Sequence, residues 1–469
     1  MSGLLTFLCI LVGAMIVVAV PWLVVPYTAD YGTVTVFDTG KAVLLCGILA
    51  TIAGYAAFRQ GVNGPFLLKL FVSALLVRVL LGAAIFVSNG QEFFGGDALT
   101  YDFFGRAQLR AWAGDGYYRS LVNTFVGSGE GSGWGMVYLV AAVYQIVGRN
   151  MLAVQFMNAV LGAVTSVIIF LCAYQVFGNF RVARLTAIAV AFYPSLVLWS
   201  SQGLKDGPIV FFLALAILAT LKLGQKLSPK YLLILVISLF AILSLRFYVF
   251  YMISVAVAGA FVIGMQKVNA TSFIRQLAVV ILLGLSLTYL GVTRYANVQL
   301  ERYGSLERIQ VSRLDAAQSA HSGFGRDVDV STARGALSTI PIGLLYLLFA
   351  PFPWQLASLR QSITLPEMIV WWASFPMLIV GLWFSIKYRL RQISPILIFT
   401  IMLSFAYSIF QGNVGNAYRQ RSQLLVFYFI FVAVGYVLVL ERHQEKQRRE
   451  LVEREALAAR FASSTVPRR

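Results

Sequence analysis

Ten apolar runs, each long enough to cross about 30 Å of hydrocarbon, punctuate this chain, and in lipid only helices or a closed barrel satisfy their own backbone polar groups. The runs lie near residues 4 to 26, 41 to 58, 66 to 89, 152 to 176, 185 to 201, 207 to 224, 273 to 294, 366 to 386, 393 to 411 and 422 to 441. Their length suits helices and exceeds the roughly ten residues of a barrel strand, so the expected fold is an all-α polytopic membrane protein. One further run, 231 to 266, is interrupted only by Arg246 and is too long for a single crossing. Split at Arg246 it gives two short spans and raises the expected count to about twelve. Composition agrees: 59% of the 469 residues are hydrophobic and 12% charged, where a soluble domain carries about a quarter charged residues.

The charges then set sidedness. The formal charge of +18 would point to nucleic acid in a soluble chain, but here the basic residues gather in short loops between apolar runs, so membrane topology accounts for them and no nucleic-acid partner is expected. Arg59, Arg181, Arg184, Lys222, Lys226, Lys230, Lys267, Arg275, Lys387, Arg389 and Arg391 fall on one side in the twelve-span arrangement, as does the basic tail from Glu441 onward. The first run has no positive flank and no clear cleavage site, so it is expected to be a span. These expectations place the chain as a multi-pass protein of a cell membrane, the inner membrane in a bacterium, with both termini cytoplasmic and membrane lipids as neighbours. For the parity to hold, 136 to 148 and 338 to 352 must not cross and are expected to be interfacial or re-entrant helices.

The resulting divisions are N-terminal spans over 1–89, an exoplasmic loop with interfacial helices over 90–151, a transmembrane core over 152–294, a second exoplasmic loop with a re-entrant segment over 295–365, C-terminal spans over 366–441 and a basic tail over 442–469. Cys9, Cys46 and Cys172 each lie inside an apolar run, and His321 and His443 stand far apart, so neither a disulfide nor a zinc site is expected.

Polar residues that topology does not explain collect on the exoplasmic side. In QEFFGGDALTYDFFG, Asp97 follows two glycines, and Tyr101 lies one turn on along the same helical face. Asp97 suits a general base, although an Asp at that place is also an ordinary helix cap. Asp102 stands about 140° round the helix from Asp97 and is a separate candidate for substrate contact. The turn SQGLKDGP brings Lys205 and Asp206 to the same side, where Asp206 either caps a proline-started helix or converges with Asp97. Arg246, with Tyr248 beyond it, interrupts an apolar run, and an ionised group at membrane depth calls for a polar cavity or a partner unless it snorkels to the interface.

The turn QGNVGNAYRQRSQ presents Asn416, Tyr418, Arg419 and Arg421 outward, against the rule that short outward loops lack positive charge. Planar guanidinium forks match phosphate oxygens. The loop 295 to 337 adds Arg302, Arg308 and Arg313, with Arg294 just before it, most of which read as solvent-exposed. With no P-loop sequence and no G-x-S-x-G, nucleotide-driven transport and serine hydrolysis have no motif. Outward carboxylates beside arginines at a membrane surface suit a lipid-borne phosphate.

The order of these features resembles the GT-C superfamily of membrane glycosyltransferases, nearest the protein O-mannosyltransferase and aminoarabinose transferase branch. The resemblance rests on Asp97-x-x-x-Tyr101, VYLVAAVYQIVG, NAVLGAVTSVIIFLCAYQVFG and ARLTAIAVAFYPSLVLWSSQGLKDGPIVFFLALAI over about 90 to 265, with LLFAPFPWQ and NAYRQR afterwards. It implies an inverting transfer of a sugar from a polyprenyl-phosphate-linked donor to a glycan, lipid or protein acceptor on the exoplasmic face, with Asp97 as catalytic base and Asp206 at the edge of the site. Ala98 stands where many relatives carry a second acidic residue, which puts a divalent cation there in doubt. The alternatives are a flippase or transporter of lipid-linked saccharides, which calls for inverted repeats that are not visible here, and an oligosaccharide polymerase or ligase using a diphosphate carrier.

Overall fold

The computed structural model describes residues 36–127, 133–263, 270–318, 322–325, 328–356 and 358–464. Among these, eighteen α-helices and no strand are present. The apolar run at 4 to 26 lies outside the described residues.

Two long helices, α1 (Val36–Phe58) and α2 (Gly64–Val87), lead into a helical first loop made of α3 (Gln91–Gly95), α4 (Asp97–Trp112), α5 (Gly116–Gly127) and α6 (Trp134–Val147). The core follows: α7 (Met151–Phe177), the bent pair α8 (Phe180–Phe192) and α9 (Pro194–Ser200), then α10 (Asp206–Gln225), α11 (Pro229–Leu245) and α12 (Phe247–Ile263). After α13 (Ala270–Tyr289) come α14 (Val292–Tyr303), α15 (Leu306–Gln318) and α16 (Ala333–Phe349), and the chain closes with α17 (Leu359–Phe410) and α18 (Val414–Ser464).

Six helices are long and apolar enough to cross a membrane, or eight if each bent pair counts as one span, so the expected twelve is not reached among the described residues. The shortfall has physical causes. Helices α11 and α12, split at Arg246 as the sequence indicates, have 17 residues each, about 26 Å at 1.5 Å per residue, and so fall just short of the hydrocarbon thickness. The expected spans at 366 to 386 and 393 to 411 both lie within α17, as two helices that meet at a kink where Arg389 is non-helical. The expected span at 185 to 201 bends by 56° where Pro194 pushes Tyr193 out of the helical region, and the one at 273 to 294 bends by 76° at Gly291. Helices α6 and α16, expected not to cross, have 14 and 17 residues.

Helix direction sorts the charged residues. Asp97, Asp206, Arg246 and Arg419 sit at one set of helix ends, after α2, before α10, between α11 and α12, and in the second turn of α18. Arg59 precedes α2, Lys226 follows α10, Arg181 lies in the first turn of α8 and Arg389 at the kink within α17.

The C-terminal helices pack backbone to backbone through glycines. A Cβ on Gly381 of α17 would strike the Phe431 carbonyl, one on Gly435 of α18 would strike the Met377 carbonyl, and one on Gly343 of α16 would strike the Ser408 carbonyl. Small residues permit this approach where lipid offers no hydrophobic drive to association. Gly435→Val is expected to lower stability by about 1–3 kcal/mol through forced separation. Gly284→Ala, where nothing lies within 4 Å, should leave it unchanged. Thermal unfolding in detergent compares the two, and an unaltered midpoint in Gly435→Val would contradict the close crossing.

Candidate functional site

Three elements far apart in sequence meet at one guanidinium, and a fourth joins them through Asp206. Arg419 donates from Nη1 to Oδ2 of Asp97 at 2.6 Å and from Nε to Oδ2 of Asp206 at 2.6 Å. Its Nη2 lies 2.5 Å from the same Asp206 oxygen, too poorly aligned to count as a hydrogen bond. Arg246 reaches the other oxygen, Oδ1 of Asp206, through Nη2 at 3.4 Å. Asp206 is therefore held by two arginines while its side chain is wholly buried, whereas that of Asp97 is 51% exposed. The buried Nη1 of Arg246 has no hydrogen-bond partner among the described residues.

The local folding explains each placement. Helix α4 buries Ala98, Tyr101, Asp102, Gly105 and Gln108, a 3.6-residue stripe, and lacks a Cβ at Gly105 where one would meet Val140 of α6. Docked in this way, α4 aims its first residue at Arg419. The turn before α10 is clamped from α7: Asn158 Nδ2 donates to the carbonyls of Gln202 at 2.7 Å and Leu204 at 2.8 Å. Pro208 then opens α10, where a missing N–H costs nothing. The start of α18 is fixed by the second loop: Gly323 bridges Asn413, Phe324 N–H donates to the Gly412 carbonyl at 2.8 Å and Val414 N–H to the Ser322 carbonyl at 3.1 Å.

Neither aspartate caps its helix. Both stand at the first helical position, and neither the residue before Asp97 nor that before Asp206 makes a side-chain cap bond. Both carboxylates are instead spent on arginine.

Around this cluster sit Tyr248, whose ring lies 5.8 Å from the Arg246 guanidinium, and Lys205, with Nζ 6.0 Å from the Tyr101 ring. Burial, with the Arg246 guanidinium beside it, pulls the Lys205 ammonium down to about 7. Burial, with the Asp97 carboxylate nearby, pushes the Tyr101 phenol up. Asn416 is exposed near the rim.

Other expected site residues stand apart. Asp102 accepts from Tyr144 Oη at 2.5 Å and from Arg149 Nη2 at 2.5 Å, tying α4 to α6 and to the start of α7. Arg421 is buried, donating to the Leu348 carbonyl at 2.9 Å with its guanidinium 5.2 Å from the Tyr418 ring. Tyr418 donates to Oε2 of buried Glu367 at 2.7 Å. Arg313, expected among exposed arginines, is fully buried and donates to the Gly325 carbonyl.

Two aromatic residues of the site, Trp199 and Tyr407, lie inside apolar runs and carry no signal in the sequence. Trp199 holds its ring 5.8 Å from the Arg419 guanidinium and meets the Tyr418 ring edge-on at 6.1 Å. Tyr407 packs edge-on to Tyr248 at 6.1 Å and donates to Gln423 at 2.8 Å. In sequence these aromatics are indistinguishable from lipid-facing ones.

A divalent cation does not fit here. The Arg419 guanidinium already takes the place between the two carboxylates, and no three His, Cys, Asp or Glu side chains gather among the described residues.

Apolar crossing helices with a charged cluster gathered at one end define a multi-pass membrane protein. Residues 134–290 match the family model of the dolichyl-phosphate-mannose-protein mannosyltransferases, in line with the resemblance drawn from the sequence. The match supports a membrane glycosyltransferase of the GT-C type. It runs from the start of α6 to just past α13, covering Lys205, Asp206, Arg246 and Tyr248 but neither Asp97 nor Arg419. Comparison with curated proteins returned no match.

Removing one member of a buried charge network costs far more than removing an exposed one. Asp206→Asn leaves buried Arg246 without its carboxylate and Arg419 with the exposed Asp97 alone, and is expected to destabilise the protein by about 3–5 kcal/mol. Asp97→Asn should cost under about 1 kcal/mol. Thermal midpoints of the two variants give the comparison, and equal shifts would contradict the different burial of the two carboxylates.

Proposed function

We propose that the protein transfers a sugar from a polyprenyl-phosphate-linked donor to an acceptor hydroxyl on the exoplasmic face, with inversion at the anomeric carbon. The observation that carries this reading is the Asp97–Arg419–Asp206–Arg246 network, in which one carboxylate is open to solvent and one buried guanidinium nitrogen lacks a partner.

Displacement at an anomeric carbon builds positive charge on the sugar and negative charge on the departing phosphate. Asp97 takes the proton of the attacking acceptor hydroxyl as the new glycosidic bond forms. Arg419 and the free Nη1 of Arg246 receive the phosphate oxygens. Asp206 does not face the substrate; it holds both arginines in register. The donor phosphate competes with Asp97 for Arg419, and a carboxylate released from an arginine is a stronger base. Donor binding therefore arms the base. Counting Lys205 as protonated, three cations face two carboxylates, an excess of one positive charge that suits a phosphodiester.

Asp97→Asn is expected to lower kcat by about 10²–10⁴-fold while the protein remains folded and inserted. Arg419→Lys should weaken donor binding nearly as much as Arg419→Ala, because an ammonium lacks the fork. Single-turnover assays with a polyprenyl-phosphate sugar separate these effects, and undiminished turnover in Asp97→Asn would remove Asp97 as the base.

Lys205 adds a pH dependence. It is cationic below about 7 and neutral above, so affinity for an anionic donor is expected to fall as pH rises through about 7, with proton uptake on binding. Calorimetry in two buffers of different ionisation enthalpy reads that uptake. Lys205→Met should abolish it, and unchanged uptake in that variant would place the titration elsewhere.

A further inference from the structure

The first loop carries a second concavity that the charged cluster does not use. Helices α4, α5 and α6 enclose a cavity of about 340 Å³, the size of a small-molecule site, lined by Gln108, Trp112, Arg119, Asn123 and Tyr138. Its chemistry is mixed in a particular way. Trp112 and Tyr138 are 47% and 40% exposed with ring centroids 5.9 Å apart, so they offer two broad apolar faces to whatever enters. Gln108 is only 6% exposed as a residue, yet it lines the cavity. Arg119 and Asn123 line it from the facing helix α5.

The frame around this cavity is firm. Phe125 of α5 stacks on Phe104 of α4 at 3.7 Å, and Trp134 meets Tyr138 edge-on at 5.4 Å. Asp115 caps α5, its Oδ1 accepting from the N–H of Tyr117 at 3.1 Å.

Exposed aromatic faces next to planar groups that bond through two atoms match the two sides of a sugar ring. The C–H face of a pyranose lies on an aromatic ring, and adjacent hydroxyls bond an amide or guanidinium in pairs. An aromatic belt at a lipid interface would account for the rings but not for the three polar side chains, Gln108, Arg119 and Asn123, that line the same cavity. Asp97 begins the helix that Trp112 ends, and along it Gln108 and Trp112 stand about 16 Å and about 22 Å away at 1.5 Å per residue. We propose that this cavity is a subsite for an extended saccharide acceptor, gripped here while its growing end reaches Asp97. The proposal rests on the glycosyltransferase reading and gives it an acceptor class. Binding energy gathered away from the reacting hydroxyl then serves to position it.

The test measures binding without turnover, on the full chain in lipid nanodiscs free of sugar detergents. Maltohexaose, chitohexaose and a hexagalacturonate, whose carboxylates suit Arg119, are titrated by saturation-transfer NMR and tryptophan fluorescence. At least one hexasaccharide is expected to bind the wild type. Trp112→Ala and Gln108→Ala should each weaken that binding by about tenfold or more, and Trp112 is exposed enough that its truncation leaves the fold intact. Asp97→Asn should bind as the wild type does. Absence of binding by all three hexasaccharides, or binding untouched by Trp112→Ala, overturns the subsite. Saccharide binding lost in Trp112→Ala together with full turnover in Asp97→Asn would keep the subsite and remove the catalytic assignment instead.

Discussion

One guanidinium, that of Arg419, holds one end of the helix bundle together. It joins α18 to α10 through Asp206 and to α4 through Asp97, and Asp206 passes the connection on to Arg246 at the α11–α12 turn. Charges at such a depth persist only when paired, so the four elements that carry them have little choice of position. The surrounding helices are arranged to make that meeting possible. Asn158 clamps the Lys205–Asp206 turn, Gly105 lets α4 lie flat on α6, and Gly381 and Gly435 let α17 and α18 touch along their backbones.

The same cluster is what membrane physics makes easiest to read from sequence. Arg246 and Arg419 were conspicuous because each opposes a strong trend, an arginine inside an apolar run and an arginine on the less basic side. Their partners Asp97 and Asp206 were visible only as acidic residues near helix starts, where capping explains them equally well. The arginines made the aspartates interpretable. Asp102 and Arg421 show the converse: both have the right residue type in the right segment, yet Asp102 serves Arg149 and Tyr144 while Arg421 serves a carbonyl and an aromatic ring. Which acid meets which base depends on helix rotation and docking, and hydropathy does not encode either. Trp199, Tyr407 and Glu367 were lost for a related reason, since an apolar run conceals any residue whose only signal is its contact.

Counting spans from hydropathy meets a physical limit. Hydropathy finds where the chain prefers lipid, but it cannot see where a helix bends or continues. Pro194 and Gly291 break two runs at sharp angles, and Arg389 marks the kink between two helices that follow each other without a loop. The short helices beside Arg246 leave that arginine at a depth set by 17 residues rather than by a full crossing.

The contact between Ser322–Phe324 and Gly412–Val414 has a consequence for how this protein tolerates change. A three-residue strip joins the long second loop to the first turn of α18, and a Cβ on Gly412 would collide with the Arg313 carbonyl, so that strip admits little variation. Away from the strip and from Arg313 and Ala317, which pack beside Gly412, loop-closure entropy rises slowly with length. Insertions and deletions on either side of the strip should therefore accumulate freely across related chains, while the spacing from Asn413 to Arg419 stays constant. The loop can diverge in length and keep its arginine in place.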